Sequence, residues 1–135
     1  MKSYTDLEQS RKLVGFLPIE SADMEYMFLK EDGSKASNIP FVKDDEEPEW
    51  PSDSAYDFIP CWSLAALLGV LPVMIDYKGS LIRLRMDKGN VGQDDYAIWY
   101  DDLDNGLSTN IAYEAKNYID ACYEMIIKLH ELNLI

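Results

Sequence analysis

The side chains of this sequence that could do chemistry begin with Cys61, in the stretch "IPCWSLAALLGVLP" at residues 59–72. A thiol at the start of a helix has a lowered pKa and can act as a nucleophile. Such a nucleophile needs a histidine base within hydrogen-bond reach, and the chain has one histidine, His130, near the end of its terminal helix. We therefore expect Cys61 to be a buried packing residue, with catalysis through this thiol as the alternative.

Two arginines form the second candidate. Arg83 and Arg85 are two residues apart in "SLIRLRMD", so on a strand both leave the same sheet face. Trp99 belongs to an alternating set on the next predicted strand, and if that set shares the face, its indole lies near both guanidinium groups. The alternatives are a ligand or partner site and a solvated face whose arginines pair with opposite acids, and we favour the second.

The third candidate is an acidic loop at residues 43–57, "KDDEEPEWPSDSAYD", in which acids and two prolines argue against regular structure. Trp50 is either a tether that docks the loop on the domain, which we favour, or an exposed anchor for a partner. The partner-binding candidates in this loop are Trp50, Asp44, Asp45, Glu46 and Glu47, and those on the predicted sheet are Arg83, Arg85 and Trp99.

Metal and cofactor motifs are absent from the sequence. Two cysteines and one histidine, without CxxC or HxxxH spacing, do not make a metal site unless carboxylates complete it. The stretch "DKGNVG" lacks the spacing of a nucleotide-binding loop, and no helix follows it. We expect no metal and no cofactor.

Charge bounds the class of partner. The chain has 25 acidic and 12 basic residues and a net charge of −13. It should be repelled by nucleic acid and by anionic lipid. We favour solubility as the reason for this charge, with a surface that attracts a basic protein, or one that mimics nucleic acid, as the alternatives. The N-terminal residues resemble a surface helix more than a signal peptide, and both cysteines lie in apolar patterns, so we expect a cytoplasmic protein.

The elements that must position these residues are predicted from periodicity and turn signals. We expect one α+β domain over residues 1–135, with the elements in this order: a helix at about 6–17 capped by Thr5 and Glu8, a hairpin, a central helix at 61–69, an antiparallel three-stranded meander, and a C-terminal helix packed on the sheet. The meander strands are predicted at 80–87, 95–101 and 107–113, and Asn117 is predicted to cap the last helix. Leu64, Leu68, Cys122, Ile126 and Leu129 should be buried.

Three segments, "YTDLEQSRKLVGFLPIESADM" at 4–24, "PCWSLAALLGVLP" at 60–72 and "DACYEMIIKLHELNLI" at 120–135, resemble a set of short uncharacterised bacterial proteins often found in phage-like or mobile-element surroundings. The resemblance implies a shared apolar core. It implies no activity, because that set has none assigned.

These observations favour a non-enzymatic, acidic accessory protein that binds another protein. The alternative is a small enzyme or ligand-binding domain that uses Cys61 or the Arg83/Arg85 face. Partner identity, biological process and oligomeric state do not follow from the sequence.

Overall fold

A computed structural model describes residues 2–43, 55–89, 95–105 and 108–135. The chain divides into two compact units, Tyr4–Ala66 and Leu67–Ile135 together with Met1–Ser3. The predicted α+β class is confirmed. The described helices are α1 (Leu7–Val14), α2 (Leu64–Val70) and α3 (Tyr118–Glu131), with a short 3₁₀ helix at Ile19–Ser21. The described strands are β1 (Met24–Leu29), β2 (Phe41–Val42), β3 (Tyr56–Cys61), β4 (Met74–Tyr77), β5 (Ser80–Lys88), β6 (Tyr96–Asp102) and β7 (Ser108–Ala115).

Helix α1 begins one residue later than predicted. Asp6 is its N-cap, and its carboxylate accepts a hydrogen bond from the Gln9 amide at 2.8 Å, while the Asp6 amide donates to the Gln9 side chain at 3.1 Å. This reciprocal capping box replaces the predicted pair of Thr5 and Glu8. Thr5 is instead fully buried, and its hydroxyl is hydrogen-bonded inside the Tyr4–Ala66 unit.

The sheet of the Tyr4–Ala66 unit is antiparallel, in the order β2-β1-β3. The predicted hairpin is present, with Gly33 at φ +71° in its turn, where glycine adopts a positive φ without strain. A core cluster forms around Tyr26, Phe28 and Cys61.

The start of the predicted central helix is wrong. Cys61 ends strand β3, and α2 begins at Leu64, because the Ser63 hydroxyl accepts a hydrogen bond from the Ala66 amide at 3.2 Å and acts as its N-cap. Pro60 fits in β3 because that strand lies at the sheet edge, where a missing N–H costs no ladder bond. Within α2, Leu67 is fully buried, whereas Leu64 and Leu68, predicted to be buried, are half-buried.

The sheet of the Leu67–Ile135 unit is antiparallel and has four strands in the order β4-β5-β6-β7. The predicted three-stranded meander is present as β5, β6 and β7, and β4 is an addition. Helix α3 packs on β6 and β7, as predicted for the C-terminal helix. The core of this unit contains Ile82, Ile98, Tyr100 and Ile111 from the sheet and Cys122, Met125, Ile126 and Leu129 from α3.

The N-terminus of α3 confirms the predicted cap. The Asn117 side-chain oxygen accepts a hydrogen bond from the Asp120 amide at 2.8 Å, and the Asn117 side-chain nitrogen donates to the Asp120 carboxylate at 2.9 Å. The first of these bonds satisfies one of the orphan amides of the first turn, and the second joins the two side chains. They fix where the helix starts relative to the end of β7.

Candidate functional site

The register of β5 and β6 places both arginines and the tryptophan on one face. Arg83 lies opposite Asp101 and Arg85 lies opposite Trp99 in the antiparallel ladder. Residues directly opposite each other project to the same side of a sheet. The Trp99 set therefore shares the arginine face, a point that the sequence left open.

We call this side of the sheet, away from α3, the outer face. It is formed by alternate residues of four strands whose other residues point towards α3. Its members are Met74, Asp76, Leu81, Arg83, Arg85, Asp87, Ala97, Trp99, Asp101, Ala112 and Glu114.

Charge on the outer face is mixed and exposed. The Arg85 Nε lies 3.6 Å from the Asp101 Oδ2, and the two side chains are 47% and 31% exposed. An ion pair this open to water contributes little stability, so it orients the guanidinium more than it supports the fold. Arg83 is exposed and forms no ion pair with the rest of the described chain.

Apolar side chains lie beside these arginines. Met74 is 49% exposed and Leu81 is 41% exposed, while Trp99 is half-buried on the same face. Trp, Met and Arg are enriched where proteins bind one another, because each gives a large contact area in few side chains. The outer face thus combines an aromatic centre, exposed aliphatic groups and two guanidinium groups.

Met74 and Asp76 of this face were missed because β4 was not predicted. The sequence signal for β4 was the Lys78-Gly79 pair that follows it. In the structure these two residues form a turn at positive φ, +52° and +80°. Two such residues form the tight turn of a β-hairpin. The run of β-forming residues before that turn, 73–77, would have extended the predicted meander by one strand.

Cys61 lies in a different environment, inside the Tyr4–Ala66 unit. Its side chain is fully buried, and its thiol donates a hydrogen bond to the Thr5 carbonyl at 3.4 Å. Burial raises the pKa of this thiol, which is the opposite of what a nucleophile needs. The predicted burial of Cys61 is confirmed.

A small polar network surrounds Cys61. The Thr5 and Ser10 hydroxyls are 2.7 Å apart, the Trp62 amide donates to the Thr5 hydroxyl at 3.1 Å, and the Tyr26 hydroxyl donates to the Thr5 carbonyl at 2.8 Å. Each of these groups is buried and hydrogen-bonded, as a structural network must be. These contacts tie the N-terminal segment to the end of β3.

The acidic candidates Asp44, Asp45, Glu46, Glu47 and Trp50 lie outside the described residues. The predicted loop ends earlier than expected on its C-terminal side. Tyr56 and Asp57 belong to strand β3, since they pair with Leu29 and Phe28 of β1. The choice between tether and anchor for Trp50 stays open.

The described part of the chain offers neither a cluster of metal ligands nor a membrane-spanning helix. That part contains no group of three or more His, Cys, Asp or Glu side chains that could hold a metal ion. None of its helices has the length and apolar character needed to cross a membrane.

Comparison with protein-family models, with curated proteins and with solved structures finds no match for this chain. The resemblance to short bacterial proteins in phage-like surroundings stays a prediction. Any function must therefore be argued from the geometry of the outer face and from the charge of the chain.

Proposed function

We propose that this chain is a non-enzymatic accessory protein that binds a basic protein through the outer face of its four-stranded sheet. The observation that supports the proposal most is the grouping of Trp99 with Arg83, Arg85 and the exposed Met74 and Leu81 on one face. Tryptophan and arginine are among the residues that supply most of the binding energy in protein interfaces, and the exposed apolar side chains add contact area.

The charge of the face supports a basic partner. Four carboxylates, from Asp76, Asp87, Asp101 and Glu114, outnumber the two arginines on the outer face. The chain as a whole has a net charge of −13. Complementary charge accelerates association and disfavours other acidic partners.

The cytoplasm is the compartment that we propose for this binding. Both cysteines are free and buried, and neither forms the disulfide bond that is typical of small secreted proteins. The resemblance to proteins of mobile elements suggests the same setting. The acidic residues Asp44 to Glu47, with Trp50, are proposed as a second contact on the grounds of sequence.

The test compares three purified versions of the full chain as bait in lysate from the cells that naturally express it. They are the wild type, Arg83→Ala/Arg85→Ala/Trp99→Ala, and the control Lys30→Ala/Lys35→Ala, which also removes two positive charges. A captured protein counts only if mass spectrometry identifies it and the purified pair binds. Circular dichroism checks that each variant is folded.

We expect the outer-face variant to weaken that binding at least thirtyfold, because a central tryptophan alone is worth about 2 kcal/mol or more in an interface. The control should change it less than threefold. Equal affinity of the outer-face variant and the control would contradict the proposal. In that case, replacement of Asp44, Asp45, Glu46 and Glu47 by Ser tests the acidic segment.

A further inference from the structure

A cavity of about 420 Å³ lies within the Leu67–Ile135 unit, between the β4–β5 hairpin, strand β7 and the end of α3. Its volume is in the range of about 300–1,000 Å³ that small-molecule sites occupy. Ile82, Ile111 and Leu132 give it an apolar floor. It lies on the α3 side of the sheet and shares no residue with the outer face.

Two lysines from different elements line this cavity. Lys78 belongs to the β4–β5 turn, and Lys128 belongs to the last turn of α3. Neither forms an ion pair with any other residue of the described ranges. The Lys78 ammonium lies 5.1 Å from the centre of the Tyr77 ring, a contact that holds it near the cavity wall.

The one carboxylate in the cavity wall, Asp102, is already satisfied by its own turn. Its Oδ1 accepts hydrogen bonds from the Asp104 amide at 2.9 Å and the Asn105 amide at 3.3 Å, and its Oδ2 accepts from the Asn105 side chain at 3.2 Å. These bonds hold the pKa of Asp102 below its usual value. Three hydrogen bonds thus occupy most of the about four acceptor sites of this carboxylate. Its single negative charge remains and is outnumbered by the two lysine ammonium groups of the lining.

The carbonyl groups at the end of α3 are satisfied in the same way. The Leu132, Asn133 and Leu134 amides donate to the carbonyls of Lys128, His130 and Leu129 at 3.0, 3.0 and 2.8 Å. Asn133 adopts a positive φ of +57°, as residues that close a helix often do. Three carbonyls at the negative end of the helix therefore already have donors, and the two lysine ammonium groups form no ion pair with the described residues.

Strand β7 is irregular where it lines the cavity. Trp99 pairs with Ala112 and Asp101 pairs with Ser108, so residues 109–111 lie opposite a single residue of β6. The Thr109 hydroxyl stabilises this bulge by donating to the Tyr100 carbonyl at 2.6 Å. Bulges commonly re-aim side chains beside binding sites, and this one places Asn110 in the cavity wall.

We propose that this cavity binds a small organic anion, namely a monocarboxylate with a short apolar chain. Its carboxylate pairs with the ammonium groups of Lys78 and Lys128, and its chain covers Ile82, Ile111 and Leu132. The charge-assisted contacts give orientation, and the apolar floor gives the burial that inorganic anions cannot use.

The experiment titrates the ¹⁵N-labelled full chain at constant pH and ionic strength with three probes. Hexanoate has both proposed features, hexylammonium has the same chain with the opposite charge, and inorganic phosphate has negative charge without the chain. We expect saturable shifts of the Ser80, Asn110 and Leu132 amides with hexanoate. The other two probes should bind at least tenfold more weakly.

Lys78→Met/Lys128→Met should weaken hexanoate binding about tenfold, because two partly exposed charge pairs are lost. Lys35→Met/Lys116→Met removes the same charge from exposed positions elsewhere and should leave binding unchanged. Unshifted backbone spectra away from the cavity verify that the variants are folded. Three outcomes would overturn the proposal: no saturable shift with hexanoate, equal binding of hexylammonium, or undiminished binding by the double variant.

Discussion

Replacement of Thr5 by Val tests the buried polar network of the Tyr4–Ala66 unit. Valine keeps the volume of threonine but lacks its hydroxyl. That hydroxyl is fully buried, lies 2.7 Å from the Ser10 hydroxyl and accepts from the Trp62 amide at 3.1 Å. Thr5→Val therefore leaves two buried polar groups without their partner.

The expected loss of stability follows from these two groups. A buried donor or acceptor that loses its partner costs about 1–3 kcal/mol. With partial relaxation around the site, Thr5→Val should lower the free energy of unfolding by roughly 2–4 kcal/mol. The control is Thr5→Ser, which keeps the hydroxyl and removes one buried methyl group, at a cost of about 1 kcal/mol.

The assay is urea unfolding followed by tryptophan fluorescence and circular dichroism, with the slope of the free energy against urea compared among variants. A natural domain has only about 5–15 kcal/mol of stability, so the expected difference is easily measured. If Thr5→Val cost no more than Thr5→Ser, the network would not stabilise the fold, and the reasoning would be refuted.

Four further predictions rest on the described contacts. Both thiols should be labelled at least a hundredfold more slowly in native than in urea-unfolded protein at pH 7, since burial raises the pKa of Cys61 and raises that of Cys122 to about 12. Because the unfolded thiols ionise first, near 9.0, stability should be intact at neutral pH and should fall as the pH rises above 9, less so in Cys122→Ala; a flat profile would contradict this. Leu67→Ala should lower the free energy of unfolding by about 2–5 kcal/mol, and Leu68→Ala by clearly less, because only Leu67 of the two is fully buried. Equal losses for the two variants in urea unfolding would contradict this difference in burial. Asn117→Ala should cost about 1 kcal/mol through the loss of the α3 cap, and an unchanged unfolding midpoint would argue against that cap.

The sequence predicts the elements whose signals are local. The α3 stripe, its Asn117 cap and the alternation in β5 are set by residues within a few positions of one another, and each was found. The strand period also puts Arg83 and Arg85 on one face, whereas the position of Trp99 on that face depends on the β5–β6 register, which the sequence left open.

The errors occur where tertiary context decides. Pro60 and the apolar run after it favour a helix start, but pairing of β3 with β1 holds Cys61 in a strand, and Ser63 then supplies the cap. Thr5 is a residue type that caps helices, but its side chain is buried and its hydroxyl is hydrogen-bonded there. Asp6 is therefore the N-cap of α1. The cavity at Lys78 and Lys128 joins residues fifty positions apart, so no local pattern shows it.

Site-specific photo-crosslinking in the cells that naturally express the chain tests whether the outer face binds a basic protein. A benzophenone amino acid is placed at Ala112, next to Trp99 on the outer face, and separately at the exposed Ala36 of the Tyr4–Ala66 unit. We expect one dominant crosslink to a basic protein from position 112, lost in Arg83→Ala/Arg85→Ala/Trp99→Ala and absent from position 36. The same crosslinked protein from both positions, or none from position 112, would contradict it.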